Sequence, residues 1–270
     1  MKSVTLIHAV AAACAMVVAG AASAAPVYPD FTVSTSALGG GGSLGTFVAN
    51  DISGQYHEQL TFTSASTFTV SLNFTAQGFN YDDTDAAASK SYNAAQTGLG
   101  SNYGLLATLT GTGTYSTSGG TTTFSLDPGG LLNVSYDAGG NATFNAPAAP
   151  GSGYTIDANG DVVTTLATGS TLTGNGMVSC SAPNLCGAFG QETSFSLTPA
   201  GASFFVEPNP FYNLSLQSGQ FEGFPVVVGE TITSSGSLNA VFASSVPEPA
   251  PLAMMGFALV GFLAARRRRA

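Results

Sequence analysis

TFTSASTFTVSLNFTAQGF, residues 61–79, is the stretch that most clearly indicates the fold. Its apolar residues alternate with Thr, Ser and Asn, which places them on one face of an extended chain. These apolar residues are Phe62, Phe68, Val70, Leu72 and Phe74. A period of two is typical of a strand with one face buried and the other in water, so the stretch predicts half-buried β-structure.

Similar alternation recurs along most of the chain. It appears in YGLLATLTGTGTY (103–115), TTTFSL (121–126), LLNVSY (131–136), VVTTLATGSTLTGNGMVS (162–179), ETSFSL (192–197), FYNLSLQSGQF (211–221) and GSLNAVFA (236–243). Turn signals between the strands are Gly39 to Gly42, Gly119-Gly120, Asp127-Pro128-Gly129, Gly139-Gly140-Asn141 and Asn159-Gly160. Only residues 82–99 suggest a helix or long loop. The pattern predicts an all-β fold, a single antiparallel sandwich or jelly-roll-like domain.

The N-terminus has the three parts of a secretory signal peptide. Lys2 precedes an apolar run from about residue 4 to residue 20, and small residues follow it in AASAAP. The A-x-A pattern predicts cleavage between Ala24 and Ala25. Residues 1–24 are therefore interpreted as a signal peptide and residues 25–245 as one β-rich extracellular domain.

The charge of this domain excludes one class of partner. Between Pro26 and Val246 the only basic residue is Lys90, against fourteen Asp and Glu, which gives a formal charge of −13. A nucleic-acid-binding protein needs a basic patch, so nucleic acid is excluded as a partner. Anionic polymers are also repelled unless divalent cations intervene.

Two cysteines remain after signal cleavage, Cys180 and Cys186 in SCSAPNLCGAFG. Such a close pair in an exported chain predicts a disulfide that closes a small loop. Half of a zinc site is the alternative, but the mature chain offers only His57 as an imidazole ligand.

IDANGD (156–161) invites comparison with a calcium-binding loop. Asp157, Asn159 and Asp161 stand at alternate positions, as in an EF-hand. The sixth position is Val162 rather than Gly, the twelfth is Thr168 rather than Glu, and Asn-Gly is also a common hairpin turn. We therefore expect no cofactor, with calcium at this loop, or at the acidic cluster of Asp82, Asp83 and Asp85, as the alternative.

Residues suited to enzyme chemistry are few. The one histidine of the body, His57, is followed by Glu58, which points to the opposite face of a strand. A glycosidase needs two carboxylates, and Glu192, Glu207, Glu222 and Glu230 are available. The body has no Trp and no Arg to hold a sugar beside them, so we predict that the chain is not an enzyme. A secreted hydrolase remains the less favoured alternative.

The C-terminus reads VPEPAPLAMMGFALVGFLAARRRRA, residues 246–270. Its apolar run, residues 252–265, is shorter than the roughly 20 residues that span a bilayer as a helix. The arginines at 266, 267, 268 and 269 would stay on the cytoplasmic side and leave the body outside. Pro247 and Pro249 keep the chain extended before the run. This layout predicts a removable C-terminal sorting signal that inserts transiently into a membrane.

Together, Pro247-Glu248-Pro249, the apolar run and Arg266, Arg267, Arg268 and Arg269 resemble the PEP-CTERM sorting domain. That resemblance implies a Gram-negative bacterium, an exosortase as processing partner, and a role in exopolysaccharide, biofilm or floc formation. CGAFGQETSFSLTPAGASFF (186–205) and PFYNLSLQSGQF (210–221) are similar to the flocculation-associated PEP-CTERM proteins. The resemblance carries over no catalytic residues.

The favoured hypothesis is an exported surface or matrix protein that helps cells aggregate within extracellular polysaccharide. Its partners would be that polysaccharide or further copies of the chain. A lectin-like module that recognises one sugar is the alternative, because Tyr and Phe are plentiful.

Overall fold

The computed structural model of the chain describes residues 28–83, 88–180, 184–219 and 221–243. The predicted cleavage site at Ala24 and Ala25, Asp85, and the whole predicted sorting signal lie outside the described residues. Within the described ranges no helix has the length and apolar character needed to span a bilayer.

Strands dominate the described chain, and the helices are short. The strands are β1 (Phe31–Ser34), β2 (Thr46–Ala49), β3 (Asp51–Phe62), β4 (Thr67–Tyr81), β5 (Lys90–Tyr92), β6 (Gly104–Ser118), β7 (Thr121–Leu126), β8 (Gly129–Asp137), β9 (Thr143–Asn145), β10 (Thr155–Asp157), β11 (Val163–Val178), β12 (Leu185–Thr193), β13 (Ser196–Leu197), β14 (Phe205–Glu207), β15 (Asn213–Ser218), β16 (Phe221–Glu222) and β17 (Thr231–Ala243). A 3-10 helix spans Thr35–Leu38, α1 spans Ala94–Thr97 and α2 spans Pro199–Phe204.

The main sheet closes on itself, and all of its strand pairs are antiparallel. Its order is β3-β4-β6, then β7 and β8 together, then β11-β12-β15-β17, and β17 pairs again with β3. The prediction of an all-β antiparallel fold is confirmed. Closure pairs the long strands on both sides along most of their length and surrounds one hydrophobic interior.

The alternation in residues 61–79 defines the wall of this interior. Phe68, Val70, Leu72 and Phe74 of β4 are all at least 95% buried. Phe62 belongs to β3, because a turn at residues 63–66 separates the two strands, yet it faces the same interior opposite Phe68. The predicted face is confirmed, although the stretch spans a hairpin rather than one strand.

The predicted turn at Asp127-Pro128-Gly129 is wrong. β7 and β8 both run antiparallel to β6 and to β11, so the chain continues in one direction through this segment. Leu126 pairs with Gly113 and Leu131 with Thr110. Residues 127–130 between β7 and β8 therefore lie opposite the shorter stretch 111–112 of β6, as in a bulge. Pro128 provides no ladder donor, and Gly129 has a φ of 111°, so the sequence here permits a bulge as readily as a reversal.

A smaller sheet covers one end of the closed sheet. It has the order β14-β1-β2, and α2 packs beside it. The Phe31 ring lies 4.9 Å from the Phe242 ring, and Phe205 and Phe211 also contact Phe242 edge-on. Thr198 caps α2 by accepting a hydrogen bond from Gly201 N–H. We call this end, where β3 begins and β17 ends, the capped end.

Candidate functional site

The outer surface of β15, β17, β3 and β4 carries many exposed polar side chains without formal charge. Strand alternation explains this, because residues that flank the buried interior positions point outward. Together they form the polar outer face, whose members are Gln55, His57, Thr75, Gln77, Gln217, Thr233, Ser235, Ser237 and Asn239. Hydroxyl, amide and imidazole groups of this kind can exchange hydrogen bonds with a hydroxyl-bearing polymer.

The closed sheet splits between β16 and β17, at the end opposite the capped end. β15 pairs with β17 only as far as Ser218 opposite Leu238, although β17 begins at Thr231. Beyond Ser218 the chain stays with β12, where Phe221 pairs with Gly187. The first residues of β17 therefore pair with β3 on one side and face an opening on the other. We call this opening the seam, and this end the seam end.

A groove of about 500 Å³ lies at the seam. It is lined by Leu185, Phe221, Glu222, Gly223, Phe224, Pro225, Ile232, Thr233, Ser234 and Ser235. Ser237 O accepts from Gly219 N–H at 2.9 Å, so the backbone groups of Ser237 point towards β15. Because strand residues alternate, the N–H and C=O groups of Thr233 and Ser235 point to the same side, into the seam. The seam groove thus offers backbone and hydroxyl hydrogen-bonding groups beside an apolar wall.

Two aromatic rings separate the seam groove from the interior. Phe221 and Phe224 stack with ring centroids 6.2 Å apart and an interplanar angle of 11°. Both rings also line an interior cavity of about 40 Å³. Gly187 allows this arrangement, since a Cβ there would clash with the Phe221 ring.

The interior cavity contains a buried carboxyl group. Glu58 faces inward from β3 between Leu72 of β4 and Ser234 of β17, and burial raises its pKa to about 7. Gln191 also lines the cavity and donates from Nε2 to Thr171 Oγ1 at 2.8 Å. A carboxyl in such surroundings holds its proton well above the usual range, because the charged form loses its hydration.

Tyr56 lies one inward position before Glu58. Its hydroxyl is buried and has no hydrogen-bond partner of good geometry within the described residues. Burial, and then the nearby Glu58 charge, raise the pKa of Tyr56, while the Ser234 hydroxyl partly offsets this. Glu58, Gln191 and the Tyr56 hydroxyl thus place three polar groups within the hydrophobic interior.

The predicted disulfide is confirmed, since Cys180 and Cys186 are bonded with Cα atoms 5.9 Å apart. It joins the end of β11 to the start of β12, at the seam end. The predicted loop therefore fixes the strand that carries Leu185, one wall of the seam groove.

The calcium candidates lie at the end of β10 and in the turn that follows it. Asp157 Oδ1 accepts from the Asn159 backbone N–H at 3.0 Å, and Asn159 Nδ2 donates to Asn141 O at 2.7 Å. Asn159 has a φ of 48°, a conformation that Asn tolerates in turns, and this turn connects β10 to β11 without pairing them. Across the described ranges, no three Asp, Glu, His or Cys side chains are close enough together to hold a metal ion. The absence of a cofactor stays a prediction.

The candidate catalytic carboxylates do not gather at one place. Glu207 lies on β14 at the capped end, whereas Glu222 and Glu230 are exposed at the seam end and Glu192 lies on β12. His57 is exposed and Glu58 buried, on opposite faces as expected. That the chain is not an enzyme stays a prediction.

Sequence reasoning missed a Gly-x-Ser-x-Gly match at residues 41–45. A catalytic elbow places this pattern between a strand and a helix, but here it leads directly into β2. The Ser43 N–H donates to Ala95 O at 2.9 Å, which is a loop contact.

Sequence reasoning also missed the seam and the cavity. A signal for Glu58 existed, because QYHEQLTF (55–62) puts it in phase with Tyr56, Leu60 and Phe62. The seam left no such signal, since residues 231–236 alternate like any paired strand.

Comparison with known proteins identifies the C-terminus. Residues 245–269 match the PEP-CTERM protein-sorting motif, which confirms the interpretation of this segment. No curated protein and no solved structure matches the chain. The chain is a PEP-CTERM domain-containing protein, and the motif indicates an exported protein that an exosortase sorts to the cell surface or exterior.

Proposed function

Because the chain carries a PEP-CTERM sorting motif, we propose that its body is a matrix protein that helps cells aggregate into flocs or biofilm within exopolysaccharide. The observation that supports this most is the polar outer face on a body destined for the exterior. A surface of hydroxyl and amide groups forms many weak hydrogen bonds to a hydrated polymer, and it needs no catalytic centre to do so.

The packing of the body suits a structural role outside the cell. A continuous hydrophobic core runs from Phe31 at the capped end to Phe62 at the seam end. The closed sheet has few free edges, and the disulfide fixes a loop that no cytoplasmic reductant reaches after export. These features support a scaffold that persists in the matrix.

The proposed route follows from the tail. An exosortase in the inner membrane of a Gram-negative cell recognises Pro247, Glu248 and Pro249. The apolar run inserts transiently, with the four terminal arginines on the cytoplasmic side and the body outside. Processing then releases the body to the surface or matrix.

Deleting the gene tests the role. We expect slower settling of flocs, with recovery when the full chain is supplied again. The matched control supplies a chain with Pro247→Ala, Glu248→Ala and Pro249→Ala, which keeps the body but loses the motif. This control should fail to restore settling and should leave less protein outside the cell. Unchanged settling after deletion, in a strain whose parent exports the protein, would refute the role.

Recognition of a particular polysaccharide is the second candidate. The seam groove favours it, because the groove combines hydrogen-bonding groups with aromatic and aliphatic walls. A lectin-like module binds purified exopolysaccharide saturably, whereas a purely self-associating protein does not.

A further inference from the structure

We propose that the seam groove binds an extended polysaccharide chain that bears no anionic groups. The inference rests on the proposed function, because it assigns the contact with extracellular polymer to one groove. Four observations support the proposal: the size of the groove, its exposed backbone groups, its apolar wall and the charge around it.

The groove has the dimensions of a ligand site. Its volume of about 500 Å³ falls within the roughly 300–1,000 Å³ of typical ligand pockets. The stretch Thr231 to Ser235 that faces the seam is about 16 Å long at the usual rise of a strand. That length accommodates several linked sugar rings rather than one.

Hydrogen-bonding groups line one side of the groove. Thr233 and Ser235 present backbone N–H and C=O groups to the seam, and their exposed hydroxyls lie beside them. Gly223 N–H donates to Asn184 O on the β12 side, so alternation turns the backbone of Glu222 towards the seam. Donors and acceptors on both sides match the mixed hydrogen bonding of sugar hydroxyls.

An apolar surface lines the opposite side. Phe224 is half-buried. Leu185 is 59% exposed, although it is apolar and lies in strand β12. The C–H face of a sugar ring can cover such a surface while its hydroxyls reach the strand edge. An exposed apolar patch rimmed by polar residues is typical of a binding groove.

Charge selects the class of polymer. Glu222 lines the groove, and exposed Glu230 directly precedes β17. The only Lys or Arg of the described chain, Lys90, lies on β5 with its Nζ 6.0 Å from the Tyr81 ring, next to the capped end of β4. An anionic polymer would meet repulsion without a compensating cation, whereas a neutral or amino-bearing polymer would not.

The same geometry disfavours an inserted peptide strand. A strand placed between β16 and β17 needs about 9.6 Å between them, twice the usual strand spacing. Cα atoms of β16 and β17 already approach within 8 Å. A second copy of this acidic chain would also meet like-charge repulsion.

A second groove, at the capped end, provides a control. It has a volume of about 380 Å³ and is lined mainly by apolar residues, among them Phe195, Phe205 and Pro208. Glu207, on β14 beside it, is exposed like Glu222. Glu207→Gln therefore matches Glu222→Gln in chemistry and exposure but not in position.

The test uses mature protein recovered from the cell exterior and isothermal titration calorimetry. The probes are cello-oligosaccharides, N-acetylglucosamine oligomers, glucosamine oligomers and oligogalacturonate. We expect saturable binding of a neutral or amino-bearing oligomer and none of oligogalacturonate. Glu222→Gln should weaken binding roughly tenfold, the effect of losing one charge-assisted hydrogen bond, and Glu207→Gln should leave it unchanged.

Phe224→Ala supplies a second variant, with folding checked by circular dichroism, and should weaken binding similarly. Binding that survives both Glu222→Gln and Phe224→Ala, or binding of oligogalacturonate alone, would overturn the proposal. The absence of saturable binding to any probe would also overturn the proposal. Dimers in sedimentation that Thr233→Pro dissociates would overturn it too, because that result assigns the strand edge to a second copy. Each of these outcomes leaves the settling experiment unaffected, so the two proposals can fail separately.

Discussion

The capped end and the seam end of the same closed sheet are built differently. At the capped end a cavity of about 30 Å³ is lined entirely by apolar residues, such as Ile52, Phe74 and Phe242. At the seam end the interior contains Glu58 and Gln191, and the wall opens between β16 and β17. The difference indicates that one end provides stability, whereas the other gives up some stability for polar chemistry and access.

Removing a core ring at the capped end should have the largest effect. Phe242 is fully buried and contacts the rings of Phe31, Phe195 and Phe211. Phe242→Ala should lower the free energy of unfolding by about 3–5 kcal/mol, measured by chemical denaturation. Phe224→Ala, at the half-buried seam position, should cost less. An equal loss at both positions would contradict the difference between the ends.

The buried carboxyl at the seam end should make stability depend on pH. The pKa of Glu58 is about 7 in the fold, against an ordinary value of 4.5. Below pH 4.5 both states hold the proton, so the full stability is present. Between pH 4.5 and 7 the unfolded state releases the proton first, so the free energy of unfolding should fall by about 3 kcal/mol.

Glu58→Gln removes this titration and serves as the control. The difference in unfolding free energy between wild type and variant should change between pH 4.5 and 7 and level off above that range. A difference that is constant with pH would show that Glu58 is not held in a desolvated interior.

Opening the disulfide should have a smaller effect. The Cys180–Cys186 loop is short, so its closure contributes about 2 kcal/mol by chain entropy. A variant with both cysteines replaced by Ser should lose that amount in urea unfolding. We also expect it to bind oligosaccharide more weakly, since Leu185 loses its fixed position. Identical stability with and without the disulfide would exclude a bracing role at the seam.

The closed sheet could be predicted from the sequence only in part. The alternation around Phe68 and Val70 was enough to identify the interior face, because burial depends on local period. The bulge at Pro128 and the seam after Ser218 were not predictable, because each depends on which distant strand stays paired. Glycine and proline mark a departure from regular pairing without saying whether the chain reverses.

The candidate site was predictable only in part. The close cysteines predicted the disulfide, and alternation put His57 and Glu58 on opposite faces. The seam groove brings together residues from β12, β16 and β17, so no single stretch contains it. Its apolar residue Leu185 is indistinguishable in sequence from a core residue.

The smallest effect is expected on the outer surface. His57 is exposed next to buried Glu58, so His57→Ala should change the unfolding free energy by less than about 0.5 kcal/mol. Measuring the thermal unfolding of His57→Ala and of Glu58→Gln side by side compares the loss of stability at two neighbouring positions on opposite faces of β3. A large loss for His57→Ala would mean that the outer surface is covered in the mature protein.

Intact mass of the protein recovered from the cell exterior shows whether a folded body is delivered outside without its sorting signal. We expect a chain that begins at Ala25, ends within Pro247, Glu248 or Pro249, and retains the Cys180–Cys186 bond, which would confirm such delivery. A chain outside the cell that still ends at Ala270 would contradict it.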